Sequence, residues 1–370
     1  MKNYFIKIAK NFSTSFFYEK LLKEMHICLK EDINNKVVFD MSETTFIDAL
    51  VIPNLLCVGS ILKETTGHMP IITTINTQVY STKADTAQFL YEIGFIELAQ
   101  RLNLFEIHCF GSDGKRPIIR EYSTTYYFDL SYKAKTATET KRRIARRISD
   151  KSRELFEEHL KDYFDTDSEI GYCNKFARIA AELCSNSLIH SNIPSFMTIQ
   201  SNLFNQTVSI AVSDRGCGFY DSLYSKLIDE EIKVSEGRQL DKTIQFYTIN
   251  KNSFKELTDK RSLHAIVEST FFRYYEGKVY GISDIASTVL KEGGLIRIHS
   301  TDSRIKLTQS NFPFIFQMCE DPERLRNMLI KEFIKKKDYN FKSGLKFMGV
   351  HYEIEMPIKT SSRSGTNVYY

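Results

Sequence analysis

The sequence predicts an α/β protein made of two folded units in series, the second of α+β character. Strand-length and helix-length apolar segments alternate over about the first hundred residues. A turn-rich patch, Gly111 to Arg116 (GSDGKR), then interrupts the pattern, and beyond it two long helical patterns precede paired strand segments. With 42% hydrophobic and 26% charged residues over 370, the chain has enough apolar side chain for about two or three cores and is neither disordered nor fibrous.

The first unit spans residues 1–110. Lys36 to Asp40 (KVVFD) reads as a buried strand. Ala49 to Leu62 (ALVIPNLLCVGSIL) follows as an apolar stretch of helical length, in which Pro53 fits only near a first turn. Met69 to Ile75 (MPIITTI) is a second strand rich in β-branched residues, and Asp85 to Ile93 (DTAQFLYEI) is helical up to a stop at Gly94. Residues 111–134 form a linker that carries a connecting strand, Thr125 to Leu130 (TYYFDL).

The second unit spans residues 135–358. Thr136 and Glu139 form a capping box that opens a long helix with Ile144, Ile148, Leu155 and Phe156 at helical spacing, its other face strongly basic. Gly171 to His190 is a second helix, with Phe176, Ile179, Ala180 and Leu183 on one stripe and Glu182, Asn186 and His190 at four-residue steps on another. Two strands follow, Ser195 to Ser201 and Gln206 to Ser213, and the second runs into DRGCG. Residues 219–280 are long, polar and charged, and read as a mobile lid with helices of its own. Gly281 to Leu290 is a helix, Gly293-Gly294 a turn and Leu295 to Ser300 a strand. Residues 303–346, with a helix at Pro322 to Lys337, form an insertion before the last strand, Phe347 to Met356. Residues 359–370 are a Ser/Thr-rich flexible tail.

Lys and Arg number 50 against 46 Asp and Glu, a net charge of +4, too near balance to require a nucleic-acid or membrane partner for the whole molecule. The 7 cysteines are odd in number, scattered and never spaced as CxxC, which points away from a disulfide framework or a structural zinc site and toward a reducing cytoplasm. The start, MKNYFIKIAKNF, has no apolar core of signal-peptide length, and no later run approaches the ~20 apolar residues of a membrane helix.

A carboxylate, an amide and an imidazole on one helical face suit a polyphosphate and its metal. Glu182 is placed to activate water, Asn186 to offer a carbonyl oxygen to magnesium, and His190 to approach a phosphate. Taken alone, Glu182 and Asn186 read better as a solvated polar stripe. Asp214 follows an apolar strand and can accept a hydrogen bond from an exocyclic amine, while Gly216 and Gly218 let the backbone approach a flat ligand. Taken alone, DRGCG reads better as a tight turn.

These segments together resemble the GHKL superfamily of ATP-binding proteins (gyrase, heat-shock ninety chaperones, histidine kinases, MutL), and most closely the kinases related to anti-sigma factors. Glu182 to His190 (ELCSNSLIH) resembles the N-box, including Asn186, Ser187 and His190. Asp214-Arg215-Gly216-Cys217-Gly218 resembles the DxGxG box. Tyr280-Gly281-Ile282, followed by Gly293-Gly294 and Ser300, resembles the second glycine box, whose amides at a helix N-terminus meet phosphates, and Gly349 in FMGVHYEIEMP resembles the last strand motif. The resemblance implies ATP and Mg²⁺ as cofactors, adenine on Asp214, magnesium held with the help of Asn186, Glu182 as the catalytic residue that orients the nucleophile, and a lid closing over the phosphates. The implied fold is a Bergerat sandwich, a mixed sheet with helices on one face. Two positions depart from the pattern: Val279 stands where the second box has its first glycine, and Val350 where a hydroxyl residue often follows the last glycine.

The first hundred residues resemble a STAS domain, the fold of anti-anti-sigma factors, through VVFDMSETTFIDALVIPNLL and FLYEIGFIELAQ. Such domains often carry a phosphorylated Ser or Thr just after the Asp corresponding to Asp48, but here Ala49 and Leu50 stand there. The expected function is an ATPase or a serine/threonine protein kinase whose lid state is read by the STAS-like domain, a partner protein or a second copy of the chain. A catalytically silent nucleotide-sensing switch is the alternative. No His lies between residues 141 and 153 to serve a phosphorelay, and His159 reads as a surface residue. The basic cluster Lys141, Arg142, Arg143, Arg146, Arg147, Lys151 and Arg153 suggests nucleic acid, but reads better as a solvated helix face beside Glu154, Glu157 and Glu158.

Overall fold

The computed structural model describes residues 2–74, 86–108, 121–128, 137–160, 166–188, 193–202, 206–223, 225, 261–271, 274–275, 278–279, 282–310, 328, 331–333, 345 and 347–358. The protein is a mixed α/β molecule with one parallel and one antiparallel main sheet. In the N-terminal domain, strands β1 (Asn3–Lys7), β3 (Lys36–Asp40), β5 (Ile71–Thr73) and β6 (Glu106–His108) lie side by side in that order, all parallel. Strands β2 (Asn11–Phe12) and β4 (Phe46–Ile47) pair separately. Between β1 and β3 run α1 (Thr14–Phe16), a π turn (Phe17–Leu21) and α2 (Leu22–Glu31), none of which stands out in the sequence pattern.

Helix α3 (Ile52–Thr66) enters through a tight turn at Ala49–Val51 capped by the Asp48 side chain, has Pro53 in its first turn, and ends on Gly67 at φ 74°. It is buried almost all round, as a helix apolar on every face must be. Among the described residues Ala49–Thr66 is long and apolar enough to cross a membrane, contrary to the expectation that no run approaches that length, and 67% of it is buried inside the protein. Helices α4 (Thr86–Glu92) and α5 (Phe95–Arg101) are separated by Gly94, whose φ of 77° breaks the helix where the sequence predicts a stop.

The C-terminal domain is a six-stranded sheet in the order β13-β12-β14-β9-β8-β7: β7 (Glu121–Phe128), β8 (Ser195–Asn202), β9 (Thr207–Asp214), β12 (Leu295–Thr301), β13 (Ser303–Thr308) and β14 (Phe347–Pro357). A small ribbon pairs β10 (Tyr274–Tyr275) with β11 (Lys278–Val279). Among the described residues every pairing in the large sheet is antiparallel, which corrects the expectation of a mixed sheet. Short connections at β8–β9 and β12–β13, the latter with Thr301 at φ 60°, leave no room for a parallel crossover. Two boundaries also move: the connecting strand of 111–134 is the sheet's edge strand β7, and the insertion at 303–346 begins with the opposite edge strand β13.

One face of this sheet carries helices α6 (Ala137–Leu160), α7 (Thr166–Asn186), α8 (Arg261–Phe271) and α9 (Ile282–Lys291) over a continuous apolar core. Phe156 of α6 stacks on Phe176 of α7 at 5.1 Å. Helix α7 begins at Thr166, a turn before the predicted Gly171. Helix α8 lies in the segment 219–280 read as a lid, yet Leu263, Ile266 and Val267 are fully buried in the core, so this part of the segment is structural. The rest of the lid, apart from 219–223, 225 and the β10–β11 ribbon, the capping residue Thr136, the helix at 322–337 except 328 and 331–333, and the tail lie outside the described residues.

The other face is covered by the N-terminal domain. Strand residues alternate between the two sides: Val208, Ile210 and Val212 belong to the helix-side core, whereas Phe196 and Phe347 join the N-terminal domain's core. Beside them lie Ser213, His299, Arg304, His351 and Glu353, all buried, so this second face is polar yet shielded from water. The Tyr18 ring lies tilted against His299 at 4.6 Å with the Arg304 guanidinium 4.5 Å over its ring, and Arg304 pairs with Glu353 at 2.9 Å.

Candidate functional site

Asp214 is the last residue of β9, on the helix side in register with Ile210 and Val212. Its side chain is 4% exposed. Oδ1 accepts the Gly216 amide at 2.7 Å and the Val350 amide at 3.2 Å, and Oδ2 takes no hydrogen bond from the described residues. Burial pushes the carboxyl up to about 6, against the downward pull of the two amides.

The chain around Asp214 is packed too tightly for side chains. Gly349, at φ 105°, lies where a Cβ would stand 2.0 Å from the Asp214 carbonyl oxygen. Gly218, at φ 80°, would put one 2.8 Å from Ser300 Oγ and 2.9 Å from Thr301 Oγ1. The Phe219 amide donates to Ser300 Oγ at 3.0 Å. Three distant segments, 214–219, 300–301 and 349–350, thus meet at one buried carboxylate. Val350, a departure from the motif, takes part through its backbone amide, so its side chain is not what the position requires.

Helix α7 is anchored by Leu183 and Cys184 in the core, with Cys184 Sγ 3.8 Å from Met197 Sδ on β8. On its other stripe Lys175 pairs with Glu292 and Arg178 with Asp284, locking α7 antiparallel to α9. Glu182 and Asn186, one and two turns on, continue that stripe toward the N-terminal end of α9, and both are half-buried. Ser187 is buried with its hydroxyl donated to the Cys184 carbonyl at 2.9 Å. Ile282 begins α9 and its side chain is in the core. His190, Tyr280 and Gly281 lie outside the described residues.

Two parts of the second glycine box read differently in the fold. Gly293 and Gly294 close the C-terminus of α9: the Gly294 amide bonds the Val289 carbonyl at 2.9 Å and the Gly293 amide that of Leu290 at 3.0 Å, a Schellman cap rather than a phosphate contact. Val279 sits in β11 opposite Tyr274, an extended setting that suits a β-branched residue and needs no positive φ.

Ser300, read from the sequence as part of the second glycine box, braces the turn after Asp214 through its hydroxyl, a contact that nothing in a strand end announces. Among the described residues no group of three His, Cys, Asp or Glu is placed to hold a metal. An amide oxygen at Asn186 supplemented by phosphate oxygens and water is the kind of sparse protein set that magnesium accepts. On α6, Arg146 lies 3.8 Å from Asp150, Lys151 3.0 Å from Glu154 and Arg153 3.7 Å from Glu157, so part of its basic face is neutralised within the helix. The described cysteines Cys28, Cys57, Cys173, Cys184 and Cys217 form no disulfide with one another. Comparison of the chain with family models, curated proteins and solved structures returned no match.

Proposed function

We propose that this protein is an ATP-binding module of the GHKL kind that hydrolyses ATP, or passes its γ-phosphate to a Ser/Thr hydroxyl, with magnesium, and that its nucleotide state is read by the STAS-like domain or a partner. The observation that carries the reading is Asp214: a buried carboxylate with one oxygen fixed by two amides, the other open, beside backbone kept bare by Gly218 and Gly349. That arrangement suits an exocyclic amine and the flat ring that bears it. On this reading Asn186 helps hold magnesium, which would offset phosphate charge, and Glu182 orients the attacking water or hydroxyl. The backbone at the start of α9 faces the phosphates.

A catalytically silent sensor is the second reading, favoured by Val279, whose strand setting shapes the phosphate segment differently from a glycine. Magnesium-dependent ATP binding and turnover by the purified full chain separate the two. Asp214→Ala is expected to abolish binding, Asn186→Ala to remove the magnesium dependence, and Glu182→Ala to bind ATP but lose turnover by at least about a hundredfold. Label found on protein rather than in released phosphate would mark a kinase. Binding without turnover would support the sensor, and no binding by the wild type would refute the site.

A further inference from the structure

Helix α3 of the N-terminal domain lies directly behind the strand that presents Asp214. Asp214 faces the helix layer, so its neighbour Ser213 faces the opposite way, onto α3. There Ser213 Oγ donates to Asn54 Oδ1 at 2.6 Å, and Asn54 Nδ2 donates to the Tyr18 hydroxyl at 3.0 Å. Ser213, Asn54 and Tyr18 are all about 1% exposed. On the other side of Asp214, the Arg215 guanidinium pairs with Glu64 at 2.5 Å, ten residues along the same helix. Cys57, between the two on that stripe, is close enough for the charges of both Asp214 and Arg215 to act on its thiol. Both chain neighbours of the acceptor carboxylate are therefore held by a single helix of the other domain.

We infer that Asn54, assisted by Glu64, is a positioning residue for Asp214, so that docking of the N-terminal domain and occupancy of the nucleotide site are coupled. The inference rests on the reading of Asp214 as the nucleotide's acceptor. The end of β9 must be fixed to a fraction of an ångström for Oδ1 to keep both amides and leave Oδ2 aimed outward, and a site is only as precise as the contacts behind it. The Ser213–Asn54 bond is buried, so breaking it strands a donor and an acceptor away from water. The interface around it mixes the apolar Phe196 and Phe347 with the buried polar His299, Arg304, His351 and Glu353 on the sheet side, so it is more polar than the interior of either apolar core. Coupling of this kind is reciprocal: whatever docking adds to nucleotide affinity, the nucleotide adds to docking.

The test uses the full chain, with magnesium and ATP as the probe, measuring binding by calorimetry and hydrogen exchange of residues 52–66. In the wild type, ATP is expected to slow exchange in α3. Asn54→Ala and Ser213→Ala are each expected to weaken ATP binding by about fivefold or more and to lose the ATP effect on α3. Their double variant is expected to be no weaker than the worse single one, because each acts through the other. Glu64→Gln, at an exposed position that leaves folding intact, is expected to weaken binding about twofold, and it keeps the test decisive if Asn54→Ala does not fold. Unchanged affinity in Glu64→Gln and Ser213→Ala with no ATP-dependent protection of α3, or strictly additive losses, would overturn the coupling while leaving ATP binding in place. A wild type that does not bind ATP would remove the coupling together with the functional reading.

Discussion

At the scale of single residues, Gly349 separates two reasons for which a chain needs glycine. Gly67, at φ 74°, has nothing within 4 Å of the place a Cβ would occupy. It is glycine only because the helix α3 ends in the left-handed region. Gly349, at φ 105°, has in addition the Asp214 carbonyl oxygen 2.0 Å from that place. Gly67→Ala should therefore cost about 1 kcal/mol, the strain of a left-handed alanine. Gly349→Ala should cost roughly 2–4 kcal/mol, because β14 must also move off β9. Denaturant midpoints of the two variants check the difference. Displacement of β14 withdraws the Val350 amide from Asp214, so on the proposed function Gly349→Ala is also expected to lose nucleotide binding, whereas Gly67→Ala keeps it.

At the scale of the element, the entry to α3 joins helix capping to buried charge. Asp48 Oδ1 accepts the Leu50 amide at 3.0 Å and caps the turn, yet burial pushes its carboxyl up to about 6, with Glu353 and Glu355 adding to the shift. Its ordinary value is 3.8, so the folded protein holds this proton to higher pH than the unfolded chain does. Stability from this group is full below about 4 and is lost as pH rises through about 6. Asp48→Asn keeps the capping oxygen and removes the charge. It is expected to raise stability at pH 7.5 by ~1–3 kcal/mol, a gain that vanishes by pH 4; thermal melts at the two pH values test it. The same stretch shows what sequence could and could not tell. Pro53 and Gly94 announced a first turn and a helix break, because each works through its own backbone. The run from Gln206 to Ser213 announced a strand, which the fold buries on both faces. The direction of the strands was hidden, since parallel or antiparallel pairing depends on which distant segments meet. The site was readable where it is local, in Asp214, Gly216 and Gly218 of one turn. It was unreadable where it is made by contact, in the Ser300 hydroxyl, the Val350 amide and Asn54 on another domain.

At the scale of the whole molecule, the joint between the domains includes buried ionisable groups beside its apolar contacts. Burial holds His299 well below its usual value, with His351 and Arg304 adding to the effect, and burial pushes His351 down to about 3 despite its contact with the Met348 carbonyl. Both rings have a buried Nδ1 without a partner among the described residues, and they face one another across β12 and β14 at 5.4 Å. Because their folded values lie below the ordinary 6.5, the unfolded chain takes up protons that the folded one refuses, and stability falls as pH drops below about 6.5. Asp48 and Asp214 act in the opposite sense between about 6 and 4, so among the described residues these two pairs of groups oppose one another on acidification. Replacing one histidine isolates its share. His351→Gln removes a group that should subtract about 2 kcal/mol between pH 7 and pH 5. The quantity to compare is each protein's change in unfolding free energy between those two pH values, so that any constant loss from repacking beside Phe347 cancels. The variant is expected to lose less stability on acidification than the wild type; an equal loss would mean that the ring is protonated in the folded protein and that the interface admits water there.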